Sequence, residues 1–211
     1  MSSVALYVIA ERGAFPSDDA WLDALARLAG SDVAGLALQV RTKGAPTPRA
    51  EALAREARLT TRGSKAPVLL NGSSATARRL GYDGVHWPEA LLDSEREVPG
   101  LLTGASVHSR AACLAAEAAG ADFLVAGAVF AAKSKPQPGR GVRWLRDVAS
   151  ATRLPVLAIG GITPARVAAC IAAGASGVAS VSEVLGAPDP VVAVHELRRA
   201  LHVARALGKP A

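Results

Sequence analysis

Aromatic residues are scarce in this chain: three Trp, three Phe and two Tyr, 4% of 211 residues. Half of the residues are nonetheless hydrophobic. Ala, Val and Leu must therefore fill the interior, which favours close packing of helices on a sheet. There are only two cysteines, Cys113 and Cys170, both in alanine-rich stretches. Burial as small apolar side chains is expected for them, and neither a disulfide nor a metal site is implied. No apolar run approaches the ~18 residues of a membrane-spanning helix. The start, MSSVALYVIAE, has neither a basic leader nor a small-residue cleavage site, so a soluble, cytoplasmic protein with no membrane partner is expected. Positive charge is in excess, at +6 net, but Lys and Arg are scattered without a dense basic run or interleaved aromatics. Small anionic substrates account for that excess, and no nucleic acid is expected.

The most informative stretch is residues 153–182, RLPVLAIGGITPARVAACIAAGASGVASVS. A short apolar strand, Leu157–Ile159, runs into Gly160 and Gly161. A turn closed by Thr163-Pro164 and an alanine-rich helix follow, then a second short strand ending at Ser180. This is a βα unit feeding its successor. Glycines after a strand let backbone amides approach a ligand, and helix N-termini favour anions, so phosphate is the expected guest.

Earlier segments repeat the alternation. Strands are predicted over Val4–Ala10, Gly35–Arg41, Pro67–Asn71, Asp83–His86, Leu101–Ser106 and Asp122–Ala126. Helices are predicted over Ser17–Ala29, Pro48–Arg58, Ala75–Leu80, Ser109–Ala119, Val142–Ala151 and Asp189–Leu207, with Ala131–Arg140 a polar loop. Eight strands alternating with helices require parallel pairing and can close on themselves. The expectation is an α/β fold, a (β/α)8 TIM barrel, formed as a single domain over residues 1–211. No linker or fixed-period repeat divides it.

In such a barrel, chemistry belongs to the loops after the strands. These carry Arg41 and Lys43, Asn71, His86, Ser106 and His108, then Lys133, Lys135 and Arg140, and finally Gly160, Gly161, Val181 and Ser182. Each has a plainer reading. Arg41-Thr-Lys43 suits a solvated strand end, Asn71-Gly72 a common turn, His86 a strand cap, and the cations of 133–140 a surface loop. His195 and His202 fall in the last helix, away from that face. His108 stands out because it follows a strand and directly precedes a helix, where a neutral imidazole exchanges protons near neutral pH without a metal.

Taken together, LYVIAE, LQVRTKG, VLLNG, DGVHWP, GASVHS, GADFLVAGAVF, LAIGGITPARV and GASGVASVS resemble the thiamine phosphate synthase and TenI superfamily over nearly the whole chain. The resemblance implies a (β/α)8 barrel that handles a small phosphorylated thiazole. A homodimer is compatible with it.

Two branches are open. Synthases join a pyrimidine diphosphate to thiazole phosphate with Mg²⁺ on the leaving group. They typically carry Asn-Asp after the third strand and a Gly-Gln-Glu-Asp type run after the fourth. Here Gly72 follows Asn71, and the second run reads Pro88-Glu89-Ala90-Leu91. At Asn71-Gly72, Pro88, Ser106-Val107-His108-Ser109 and Gly139-Arg140-Gly141-Val142 the chain looks like the TenI branch, whose members act as thiazole tautomerases.

The reading drawn from the loops is thus an isomerase in thiamine biosynthesis that needs no cofactor and no metal. His108 would be its base and would aromatise a carboxythiazole ethyl phosphate. Arg41, Lys43, Asn71, Ser106 and Lys135 would contact substrate, and Gly160, Gly161, Val181 and Ser182 its phosphate. The alternatives are a transferase, the Mg²⁺-dependent synthase, and a non-catalytic barrel binding thiazole or thiamine phosphate.

Overall fold

The computed structural model describes residues 4–45, 47–131 and 138–207. Its strands are β1 (Leu6–Glu11), β2 (Leu36–Arg41), β3 (Val68–Asn71), β4 (Gly84–Trp87), β5 (Leu102–Val107), β6 (Phe123–Gly127), β7 (Val156–Ile159) and β8 (Gly177–Ser180). Each pairs in parallel with its successor, and β8 pairs back onto β1, so the sheet closes into the expected (β/α)8 barrel.

The helices are α1 (Asp18–Ala29), α2 (Thr47–Thr60), α3 (Ser74–Arg79), α4 (Arg110–Ala119), α5 (Gly141–Ala149), α6 (Pro164–Ala172), α7 (Ser182–Leu185) and α8 (Pro190–Leu207). Local chemistry sets several of their ends. Ser17, Ser73 and Ser109 accept hydrogen bonds from the amides of Ala20, Thr76 and Ala112, each occupying one of the donors that a helix start leaves free. Gly120, in the left-handed conformation, closes α4. Trp21, Leu25 and Leu28, spaced one helical face apart, are fully buried. The Trp21 indole donates to the Ala10 carbonyl at 3.1 Å, which fixes α1 against β1. The one-turn α7 is not legible in the sequence, because four residues carry no helical period.

Two apolar layers result. The outer one lies between strands and helices and includes both cysteines, each buried. Burial raises both thiols, that of Cys170 to about 11, which leaves them inert. The inner layer is the barrel lumen: Tyr7, Ile9, Ala37, Leu69, Phe123, Val125, Leu157 and Ala179. Gly104 is required here, because a Cβ at that position would stand 2.5 Å from the Phe123 ring and 2.9 Å from His86 Nδ1. Among the described residues no helix is long and apolar enough to cross a membrane.

Candidate active site

Strand alternation identifies the mouth of the barrel. Tyr7 and Ile9 of β1 face the lumen, so Glu11 does as well. The same parity carries Ala37 to Gln39 and Arg41, Leu69 to Asn71, Gly104 to Ser106, and Ala179 to Val181. At the carboxyl ends of the strands the closed sheet therefore gathers Glu11, Arg41, Asn71 and Ser106. Glu11 and Arg41 are register partners and form a half-buried ion pair through Glu11 Oε2. Burial lowers the pKa of Arg41, but the guanidinium stays charged. Glu11 Oε1 and the almost fully buried Gln39 Oε1 are acceptors with no partner among the described residues. Lys43 is exposed on the turn beyond β2.

Below this rim runs a buried string. His86 on β4 is 1% exposed. Its Nε2 lies 2.8 Å from Ser106 Oγ, and its Nδ1 lies 3.4 Å from the Tyr7 hydroxyl. Burial, reinforced by the charge of Arg41, lowers His86 to about 3, so the ring is neutral at physiological pH. Burial also raises Tyr7 well above its ordinary value. The backbone carbonyl of His86 accepts from the Gly72 amide at 3.0 Å and from Asn71 Nδ2 at 3.4 Å, which orients Asn71 at the end of β3.

His108 follows β5 directly, and its side chain is half exposed. Glu89, on a single 3-10 turn after β4, accepts from the His108 amide at 2.7 Å and contacts its Nδ1 at 2.6 Å. Arg140 donates to the His108 carbonyl, which ties the end of the loop after β6 to the loop after β5. Glu89 is the partner that the sequence reading missed. Its signal was a carboxylate two residues past a strand, on the same rim as His108.

Gly160 and Gly161 have φ of +99° and +60°. Their backbone is needed for more than ligand approach. A Cβ on Gly160 would stand 2.5 Å from that of Ala128, and one on Gly161 would stand 2.4 Å from the Ala131 carbonyl. The loop after β6 packs into the space these glycines leave, and the Val129 and Phe130 amides donate to the carbonyls of Ile159 and Gly160. Arg166 donates to the Gly161 carbonyl at 2.7 Å and stacks over Phe130. The amides of Gly161 and Val181 have no partner among the described residues, and Ser182 opens α7. Lys133 and Lys135 lie outside the described residues. A separate cavity of about 800 Å³ opens at the amino end of the barrel, where Asp83 and Asp122 serve the fold by accepting from the Val68 and Thr103 amides.

The donor set does not fit a magnesium ion anchored by the protein. Such an ion takes one or two free carboxylates together with substrate oxygens. Of the carboxylates named at this end, Glu11 is already neutralised by Arg41, and Glu89 is engaged by His108. Gly72 and Leu91 offer none. Among the described residues no cluster of three His, Cys, Asp or Glu side chains could hold a metal.

Cations and a glycine pair thus converge on the carboxyl end of a closed (β/α)8 barrel, the end at which phosphate sites of such barrels are commonly built. A model of the thiamine monophosphate synthase (TMP-TENI) family matches residues 6–184. The chain belongs to that family. It is 39% identical to the thiamine-phosphate synthase of Methanoculleus marisnigri over 97% of this chain and 98% of that one. Identity to the thiamine-phosphate synthase of Pyrococcus furiosus is 34%, over 94% and 95% of the two chains. The solved thiamine phosphate pyrophosphorylase from Pyrococcus furiosus superposes with a TM-score of 0.75 at 31% identity, covering 96% of this chain and 98% of that one.

These relatives overturn the isomerase reading. Whole-length similarity runs to enzymes named thiamine-phosphate synthase, which are transferases. The loops misled because two branches of one family are separated there by only a handful of side chains. The discriminating weight then fell on two missing aspartates and a few matching loop residues.

Proposed function

We propose that this protein is a transferase of the thiamine-phosphate synthase type, joining a pyrimidine methyl diphosphate to thiazole phosphate. The observation that carries this is end-to-end similarity, at 39% identity, to an enzyme of that name. The gathering of Arg41, Asn71 and Ser106 around one barrel mouth supports it.

In this reading the thiazole nitrogen attacks the methylene carbon of the pyrimidine as its bond to the diphosphate oxygen breaks. The site works by holding two anions in line and neutralising the charge that develops on the leaving group. Arg41 and Lys43 serve the diphosphate. Lys135 belongs with them by its place in the sequence. Gln39 Oε1, a buried acceptor without a partner among the described residues, takes an N–H of the aminopyrimidine, and Asn71 and Ser106 position its ring. The Gly161 and Val181 amides, with Gly160 and Ser182, take the thiazole phosphate. His108, held by Glu89, donates a proton to the departing diphosphate. No step is assigned to a metal.

The test is direct. Purified protein is incubated with both substrates, in magnesium and in chelator, and thiamine phosphate is measured. Product under either condition supports the transferase. Absence of product under both, with each substrate shown to bind, overturns it.

A further inference from the structure

Tyr7, His86 and Ser106 form a string whose hydrogen-bond direction follows from what each end lacks. Tyr7 is fully buried, and among the described residues its hydroxyl meets one polar atom, His86 Nδ1. A buried O–H without an acceptor forfeits its hydration with nothing in return. The phenol therefore donates, and Nδ1 must carry a lone pair. His86 is neutral in its apolar surroundings, so its single proton sits on the other nitrogen. That nitrogen is 2.8 Å from Ser106 Oγ, which has no other side-chain partner among the described residues.

We infer that Tyr7 and His86 are positioning residues that lock Ser106 into accepting from the ring, so that the serine hydroxyl presents its own proton to the substrate. The reverse tautomer would leave the Tyr7 proton buried without an acceptor and make Ser106 donate to the ring, with only lone pairs left for the substrate. The ligand atom facing Ser106 is consequently a lone-pair bearer, an unprotonated aromatic ring nitrogen rather than an amino group. The ligand assignment rests on the proposed reaction; the direction of the string does not. Gly104 supports the arrangement, since a side chain there would enter the space of His86 Nδ1 and the Phe123 ring.

The ring ¹⁵N signals of the ligand-free protein, labelled at histidine, test the direction. His86 is identified by its loss in the His86→Gln variant. A protonated Nε2 with a bare Nδ1 is expected. A bare Nε2, or protons on both nitrogens, would overturn the proposal whether or not the protein turns over substrate.

Tyr7→Phe removes the constraint on Nδ1. Its His86 signal should shift towards a tautomer mixture, with KM for the pyrimidine substrate raised about tenfold and kcat little changed, as for one lost hydrogen bond. His86→Gln can place an amide N–H near the ring nitrogen it replaces, and should hold KM closer to wild type than His86→Leu does. A Tyr7→Phe protein with an unmoved His86 spectrum would show that the phenol sets nothing.

Discussion

Glu89 Oε2 lies 2.6 Å from His108 Nδ1 and 2.7 Å from the His108 backbone amide, so a single carboxylate on the turn after β4 fixes both the ring and the main chain of the loop after β5. The imidazole is thereby restrained at Nδ1, and its Nε2 has no partner among the described residues, the arrangement of an oriented proton carrier. Glu89→Ala should lower kcat for coupling by about tenfold to a hundredfold, the range of one or two charge-assisted hydrogen bonds. Because the two residues act as one unit, His108→Ala in the same protein should add little. Additive losses would show that Glu89 works independently of His108.

Arg41 has two roles that can be separated. Its removal strands Glu11 in a half-buried position with no countercharge, which should destabilise the fold by about 1–3 kcal/mol after allowance for partial exposure. It also deletes the proposed diphosphate contact, which should raise KM for the pyrimidine substrate by about a hundredfold. Pairing Arg41→Ala with Glu11→Gln should recover the stability, read by chemical denaturation, but not the KM. Recovery of both would make Arg41 a structural residue only.

Acid sensitivity should carry the signature of His86. Its folded pKa is about 3 and its ordinary value 6.5, so between those limits the unfolded chain binds the additional proton. Stability therefore rises with pH across this window: the contribution is complete above 6.5 and is lost as pH falls toward 3. At pH 5 the loss should be about 2 kcal/mol. Carboxylates held in ion pairs push in the same direction, so the measurement that isolates His86 is the difference between wild type and His86→Gln in denaturation midpoints at pH 7 and pH 5. A difference that does not change with pH would mean that the ring is charged or exposed in the folded protein.

The barrel itself was legible because its strands are short, apolar and separated by capped helices. Ser17 and Ser109 mark two of those helix starts, and both appear where the sequence places them. The rim residues Arg41, Asn71 and Ser106 were legible as polar ends of apolar runs. Gln39 and Glu11 were not singled out, although strand parity places both on the lumen side with Arg41. A polar residue inside an apolar strand is informative only once the inward face is known. The Glu89–His108 and Tyr7–His86 contacts join residues 19 and 79 positions apart, and no local pattern encodes such pairs. The reaction was the least legible feature, because two chemistries on one barrel fold differ by a handful of side chains.

The glycine pair after β7 offers the sharpest test of the phosphate end. At Gly160 both the positive φ and the 2.5 Å approach to Ala128 exclude a side chain, so Gly160→Ala should cost about 1–3 kcal/mol and loosen the loop after β6. Gly161→Ala strikes the Ala131 carbonyl and displaces an amide that has no partner among the described residues. If that amide holds the thiazole phosphate, KM for this substrate should rise about tenfold while KM for the diphosphate substrate stays within twofold, as expected for one charge-assisted hydrogen bond. Because the proposed diphosphate contacts follow β2 and the glycines follow β7, a parallel rise in both would mean that the glycines only seat the β6 loop. The phosphate site would then have to lie at Val181 and Ser182 alone.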